Sequence, residues 1–249
     1  MKISDVKLFP VKNRTPGRGG PGFLFIKLTT DHGIDGIGEM FCTPFSPITG
    51  KAMAEDVCER MVIGADPFKI ERLWRTIYAS GYTQHPDLTL QAILSGVEMA
   101  CWDIVGKELG KPVYELLGGQ VHEKLRSYTY MYDEEDDKTD IYTDPDLAAT
   151  RAADYVARGF TALKFDPVGP YSVFDPRQLS LESLDRTERY VRQVREAVGS
   201  RADLLIGTHG QMTPASAIRL AKRIEPYDPL WLEEPTPPAI IILGAENSF

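Results

Sequence analysis

Thr161-Ala162-Leu163-Lys164-Phe165-Asp166, Ala202-Asp203-Leu204-Leu205-Ile206-Gly207-Thr208-His209 and Leu230-Trp231-Leu232-Glu233-Glu234-Pro235 are three short apolar runs. Each closes on polar or charged residues, and each is too short to be a helix of ordinary length. Between them lie two segments of helical period, about Leu181 to Val198 and Pro214 to Ile224. Upstream, Asp144 to Arg158 reads as a helix capped by Asp144 with Pro145 at its first position. Leu125 to Met131 reads as a strand before it. Strand and helix thus alternate with a repeat of roughly 35–45 residues, which predicts parallel strands joined by crossover helices. A doubly wound sheet or a (β/α)8 barrel satisfies that pattern. No glycine fingerprint follows the first strand, which argues against the dinucleotide-binding version.

The first 120 or so residues have a different rhythm. Ile3 to Leu8 and Phe23 to Thr30 alternate as half-buried strands, and Asp31-His32-Gly33 turns the chain into Ile34 to Glu39. Helices are predicted over Ala52 to Ile63, Phe68 to Tyr78 and Leu88 to Leu109. In the last of these, Leu90, Ile93, Leu94, Val97, Cys101, Ile104 and Val105 fall at steps of three and four on one apolar face. It stops at Gly110, with Pro112 just beyond. This half reads as a small α+β domain of three strands followed by helices. The glycine-rich stretch Pro16 to Gly22 has no helix after it, so it reads as a connection or substrate flap rather than a phosphate-cradling loop. Gly33, Gly36 and Gly38 do not match a dinucleotide fingerprint.

Composition narrows the class. The 249 residues carry 28 basic and 36 acidic side chains, a net charge of −8, and 43% are hydrophobic. A chain this apolar can bury a core, which excludes disorder over most of its length. The negative charge and the lack of a Lys/Arg run argue against a nucleic-acid partner. Cys42, Cys58 and Cys101 are odd in number and widely spaced, as buried thiols of a reducing cytoplasm would be. No stretch is expected to reach the roughly 18 apolar residues of a membrane helix, and the amino terminus alternates instead of showing a signal-peptide core. The expectation is a cytoplasmic enzyme acting on a small molecule.

In either parallel architecture the chemistry sits at the carboxyl ends of the strands. Those ends deliver Lys164 and Asp166, His209, and Glu233 to one rim. Alternation makes Lys164 and Asp166 face the same way. Lysine and carboxylate can exchange protons there, and carboxylates and histidine can hold a divalent metal. Plainer readings stand beside these. Lys164 can be simply ion-paired, His209 can be a structural histidine at a helix start, and Glu233 with Glu234 can form two salt bridges. His32, His85 and His122 sit in turns or loops and receive no role.

Met99-Ala100-Cys101-Trp102-Asp103-Ile104-Val105-Gly106-Lys107, followed by Pro112 and Leu116-Leu117-Gly118-Gly119, resembles the helix motif of the enolase superfamily. The closer resemblance is to its mandelate racemase and muconate lactonizing branch, and within that to the acid-sugar dehydratases. Gly159-Phe160 before Leu163-Lys164, and Trp231 to Pro235, are similar to that family's second and fourth barrel strands. The resemblance covers about residues 1–238. It implies a capping domain over 1–120 and a modified TIM barrel from 121, of which about four strands are present up to 238. It also implies Mg²⁺ on carboxylates ending the third, fourth and fifth strands, with abstraction of the proton alpha to a substrate carboxylate.

By the same resemblance Glu233 is the fourth-strand metal ligand, and Lys164 is the first lysine of the family's Lys-x-Lys pair, acting as base or electrostatic stabiliser. His209 falls where the dehydratases carry a histidine that protonates the departing hydroxyl, which favours β-elimination of water from an aldonate-like hydroxy-carboxylate. An epimerase, racemase or cycloisomerase with Lys164 as base is the alternative, and a remnant that catalyses nothing is a third. Two positions depart from the family: Asp166 replaces the second lysine, and Gly207 stands where the third strand usually ends in aspartate. That glycine predicts weakened Mg²⁺ affinity. Family-like sequence stops at Pro238, and 239–249 reads as an aberrant tail. Only about 125 residues follow Lys124, against the roughly 200 of a full barrel. The resemblance therefore predicts a truncated, inactive and poorly stable chain, and a homo-oligomer for the full-length form.

Overall fold

The computed structural model describes residues 1–14, 22–42, 45–81, 87–169 and 178–237. The glycine-rich stretch 15–21, part of the 40–46 loop, His85 and the 239–249 tail lie outside them. The chain divides into two compact units, Met1–Glu123 and Lys124–Phe249.

In the first unit, strands β1 (Ile3–Lys12), β2 (Gly22–Thr30) and β3 (Asp35–Met40) form an antiparallel sheet in that order. Alternation along β2 buries Leu24, Ile26, Leu28 and Thr30. β1 runs past the predicted Leu8, because its ladder with β2 continues to Lys12↔Gly22. Helix α1 (Pro47–Val57) starts at Pro47 rather than Ala52, since the Ser46 side chain accepts the Ile48 N–H and Pro47 opens the first turn. It continues as a π-helical turn over Cys58–Val62. Helices α2 (Ile70–Tyr78), α3 (Leu88–Leu109) and the short α4 (Val113–Leu116) complete the unit.

Helix α3 organises this core. Asp87 caps it by accepting the Leu90 N–H at 2.8 Å. Its buried face carries Ile93, Leu94, Val97, Ala100, Cys101 and Ile104. It is long and apolar enough to pass the length and composition test for a membrane span, which corrects the expectation that no stretch comes near one. Half of its most apolar stretch is buried inside the unit, against β2 and β3. Burial pushes the thiols of Cys58 and Cys101 up to about 12, so both stay protonated.

Gly36 and Gly38 explain how α3 comes so close. A Cβ on Gly36 would sit 2.1 Å from the Ala100 carbonyl oxygen, and one on Gly38 would sit 2.0 Å from that of Gly96. The glycines serve helix-on-sheet contact, with no cofactor involved. Asp103 and Lys107 of the family-like motif close the same seam. Asp103 Oδ2 accepts the Ile37 N–H at 2.9 Å, and Lys107 donates to Asp103 and to the Asp35 carbonyl, both at 2.7 Å.

The second unit alternates as expected: β4 (Thr129–Tyr130), α5 (Pro145–Ala157), β5 (Ala162–Phe165), α6 (Leu181–Val198), β6 (Asp203–Gly207), α7 (Pro214–Ile224) and β7 (Trp231–Glu233). The four strands are parallel in the order β4-β5-β6-β7. Together with the first unit this is an α+β domain followed by a partial TIM-type barrel. Leu163, Phe165, Leu204 and Ile206 point to the helices and join Ala148, Leu184, Tyr190, Val191 and Leu220 in one core. The alternate positions, Lys164, Leu205 and Gly207, face the other side.

β4 is shorter than the predicted Leu125–Met131. Before Thr129 the ladder gives way to a side chain: the Arg126 guanidinium bonds the Thr161 carbonyl at 2.5 Å and Asp203 at 2.7 Å. Arg195 ties the amino-terminal strand ends further along, donating to the carbonyls of Gly199, Ala202, Tyr227 and Asp228 at 2.8–2.9 Å.

Two stability outcomes follow. Gly38→Ala should cost the first unit about 1–3 kcal/mol, because neither backbone can yield a full ångström without repacking. Arg195→Met should cost the second unit about 2–4 kcal/mol by stranding four carbonyls, and Arg195→Lys should recover little, since an ammonium cannot reach all four. Urea unfolding gives the magnitudes. Amide hydrogen exchange assigns each loss to its unit, and protection lost equally in both units would contradict the assignment.

Candidate active site at the strand ends

Register brings the chemistry together. Phe165 pairs with Ile206, so the next step along both strands sets Asp166 beside Gly207, and Gly207 pairs with Glu233. Asp166, Gly207 and Glu233 therefore form one row across three strands. Two rows below, on the same face, Lys164 lies between Tyr130 and Leu205.

The Lys164 side chain is only 10% exposed, and its Nζ donates to Glu233 Oε1 at 2.5 Å. The rings of Tyr128 and Tyr130 stand 5.8 Å from the same nitrogen, which suits a cation over aromatic faces. The ion-paired reading of Lys164 thus describes its resting state. Of the two glutamates, Glu233 makes that salt bridge, while Glu234 is exposed and has a left-handed backbone with φ 47°.

Asp166 uses its two oxygens differently. Oδ2 lies 2.7 Å from His209 Nε2, and Oδ1 is buried. That second oxygen is 2.1 Å from the point a Cβ on residue 207 would occupy. Around it stand phenols. Burial, followed by hydrogen bonding to Asp166 and the charge of that carboxylate, holds the Tyr130 hydroxyl far above its ordinary range. Burial and then the Asp166 charge push Tyr142 up to about 12. Both remain neutral at any physiological pH.

His209 sits on the turn between β6 and α7 with φ 51°, a left-handed conformation that costs a non-glycine residue about 1–2 kcal/mol. Neighbouring bonds fix it there. Gly210 N–H donates to the Glu234 carbonyl at 2.6 Å, Met212 N–H to that of Pro235 at 3.1 Å, and Thr208 Oγ1 to that of Glu233 at 2.7 Å. The turns ending β6 and β7 are thereby stitched together, and the His209 ring is carried outward with 56% of its side chain exposed. The structure sets Lys164 with Glu233 and Asp166 with His209 as two ion pairs beside Gly207.

The sequence reading passed over three participants: Tyr128 and Tyr130 around Lys164, and Thr208, which anchors the turn. The alternation Tyr128-Thr129-Tyr130-Met131-Tyr132 was the available signal. Met131 is in the helix-side core, which puts the three tyrosines on the other face.

A divalent cation needs several oxygen ligands. Among the described residues no three or more His, Cys, Asp or Glu side chains are arranged to hold one. Two carboxylates, Asp166 and Glu233, flank Gly207, the first bonded to His209 and the second to Lys164. The residues present fit part of a cation's shell.

With this geometry in hand, likeness to known proteins is informative. Residues 3–118 match the mandelate racemase / muconate lactonizing enzyme N-terminal domain, and residues 147–244 match the enolase C-terminal domain-like family. A D-galactonate dehydratase from Xanthomonas euvesicatoria pv. vesicatoria is 33% identical over 89% of this chain and 54% of its own length. A D-gluconate dehydratase from Thermoproteus tenax is 33% identical over 94% of this chain and 44% of its own length. A crystal structure of a mandelate racemase/muconate lactonizing enzyme from Burkholderia SAR-1 superposes with a TM-score of 0.91 at 57% identity, covering 96% of this chain and 59% of that one. The chain spans about half the length of the curated relatives it matches. It belongs to the mandelate racemase/muconate lactonizing branch of the enolase superfamily, whose two domains account for both of its units.

Proposed function

We propose that this sequence forms the first part of an acid-sugar dehydratase, a carbon–oxygen lyase of the cytoplasm that removes water from an aldonate-like hydroxy-carboxylate. The observation that carries the reading is His209, held on a strained turn at the strand ends, exposed, and joined through Nε2 to a carboxylate at 2.7 Å. A general acid for a leaving hydroxyl needs that combination of fixed orientation and open access. The dehydratases among its relatives support the same reaction class.

In this reading Asp166 holds the imidazole by one nitrogen and leaves Nδ1 to donate. A base contributed by the remainder of a complete barrel takes the proton alpha to the substrate carboxylate, the resulting enediolate expels the β-hydroxyl, and His209 delivers the proton that turns it into water. The enol then tautomerises to a 2-keto-3-deoxy acid. Lys164, paired with Glu233 and faced by two tyrosine rings, is placed as a cation, which suits electrostatic stabilisation better than proton abstraction. Glu233 would hold Mg²⁺, which when bound supplies positive charge against the substrate carboxylate.

The reaction is assigned to this sequence within a complete barrel. The test joins it to the remaining carboxyl-terminal part of the Burkholderia SAR-1 protein and screens aldonates and aldarates. Semicarbazide detection of a 2-keto-3-deoxy product is the expected result. Epimerised substrate without that product would favour the epimerase reading, and no change in any substrate would sink both. In the active fusion, His209→Asn should cut dehydration by about 10²-fold or more, because asparagine tolerates the left-handed turn but cannot donate as an acid. Turnover surviving within a factor of a few would remove His209 from the role.

A further inference from the structure

β4 is only two residues long, yet it carries the aromatic wall of the site, and an arginine holds it at each end. At the amino end Arg126 bonds the Thr161 carbonyl and Asp203. At the carboxyl end the Met131 N–H still donates to the Lys164 carbonyl at 2.9 Å, and the next carbonyl, that of Tyr132, is taken by Arg151 of α5. Arg151 Nη1 donates to it at 2.6 Å, and Nη2 reaches both Asp137 oxygens at 2.8 and 2.9 Å. Glu134 Oε1 lies 3.4 Å from Nη1. The side chains of Arg151 and Asp137 are only 9% and 12% exposed. Asp137 also accepts the Glu134 N–H at 2.6 Å, so one guanidinium joins the helix, the strand end and the loop between them.

We propose that Arg151 is a positioning residue for the strand-end site: by holding the Tyr132 carbonyl it fixes the tyrosine wall against which Lys164 rests. The contacts run in sequence. The Tyr132 ring stacks on that of Tyr130, with centroids 4.9 Å apart and planes 27° from parallel. Tyr130 pairs with Lys164 across the strands, and its ring stands 5.8 Å from the ammonium. A shift of the Tyr132 backbone therefore reaches Lys164 through two stacked rings. Energetics favour positioning over stability as the reason for the buried pair. The attraction inside such a pair roughly repays its desolvation, and apolar residues of similar volume can replace it. What they cannot replace is a planar fork that meets a carboxylate and a carbonyl at once. The inference rests on the dehydratase reading for what Lys164 does there, while the link from Arg151 to the wall concerns geometry alone.

The test uses the chain labelled with 3-fluorotyrosine, its fluorine signals for the two rings assigned from Tyr130→Phe and Tyr132→Phe. Arg151→Met should lower the urea midpoint, because Asp137 and the Tyr132 carbonyl lose their donor, and should move both signals toward their unfolded-chain positions. Arg151→Met with Asp137→Leu removes the stranded carboxylate and should return the midpoint to that of the unmodified chain, while both signals stay displaced. A purely structural pair would recover both together. Arg151→Lys keeps a cation for Asp137 but loses the fork, so it should displace the signals in the same sense, and it carries the test should Arg151→Met not fold. In the active fusion the double variant should lower kcat/KM about 10-fold, mostly in kcat. Signals unmoved in the folded variants, signals recovering with the midpoint, or full turnover in the double variant would overturn the proposal. An unmodified fusion without activity would sink the dehydratase reading instead, and the fluorine signals would still decide the link.

Discussion

Residue 207 can carry no side chain while Asp166 stays where it is, and most of the strand-end geometry depends on that. With Gly207 between them, the carboxylates of Asp166 and Glu233 share the same short stretch of sheet while Lys164 rises from two rows beneath. The ammonium resolves the crowding on one side by bonding Glu233, and His209 resolves it on the other by bonding Asp166. A larger residue at 207 would push Asp166 outward, release the imidazole and leave the turn holding His209 without its side-chain contact. The backbone of that turn stays in place through a separate set of bonds, from Gly210, Met212 and Thr208 to the carbonyls of Glu234, Pro235 and Glu233. Orientation of the ring and placement of the turn thus have different causes.

The two ends of the second unit divide stability from chemistry. At the amino-terminal strand ends, Arg126 and Arg195 saturate backbone carbonyls with charge-assisted bonds and leave nothing poised to react. At the carboxyl ends, His209 and Glu234 take left-handed backbone conformations and carry the turns that hold the polar group. Left-handed backbone also occurs at the opposite end, at Asp228, where Arg195 ties down its carbonyl. The first unit shows the same economy in another form. Its family-like helix motif serves the seam between α3 and β3, with Asp103 capping an edge N–H and glycines admitting the helix backbone.

Much of this was legible because it depends on local pattern. Strand alternation put Lys164 and Asp166 on one face, and the helices α3, α5, α6 and α7 lie where period and caps placed them. What failed to show was whatever depends on register or on a side chain replacing backbone. β4 reads as seven residues in sequence, yet Arg126 takes over its ladder before Thr129. α1 begins at a proline that periodicity alone would leave in the loop. Gly207 illustrates the limit best. Sequence shows a missing ligand at that position, and only the pairing of Phe165 with Ile206 reveals that a carboxylate from the next strand stands in the space. The phenols of Tyr128 and Tyr130 were present in the alternation but became meaningful only once Lys164 was seen between them.

Charge balance gives the arrangement its chemical sense. Counting formal charges, Lys164 contributes +1 and Asp166 and Glu233 each −1, so the three together carry −1. A group of that sign repels an organic acid, and Lys164 alone cannot reverse it while bound to Glu233. With an aspartate at 207 in addition to Asp166, the two side chains would compete for one space. Glycine at 207 beside aspartate at 166 is the combination that keeps the second carboxylate and leaves room for its bond to the histidine.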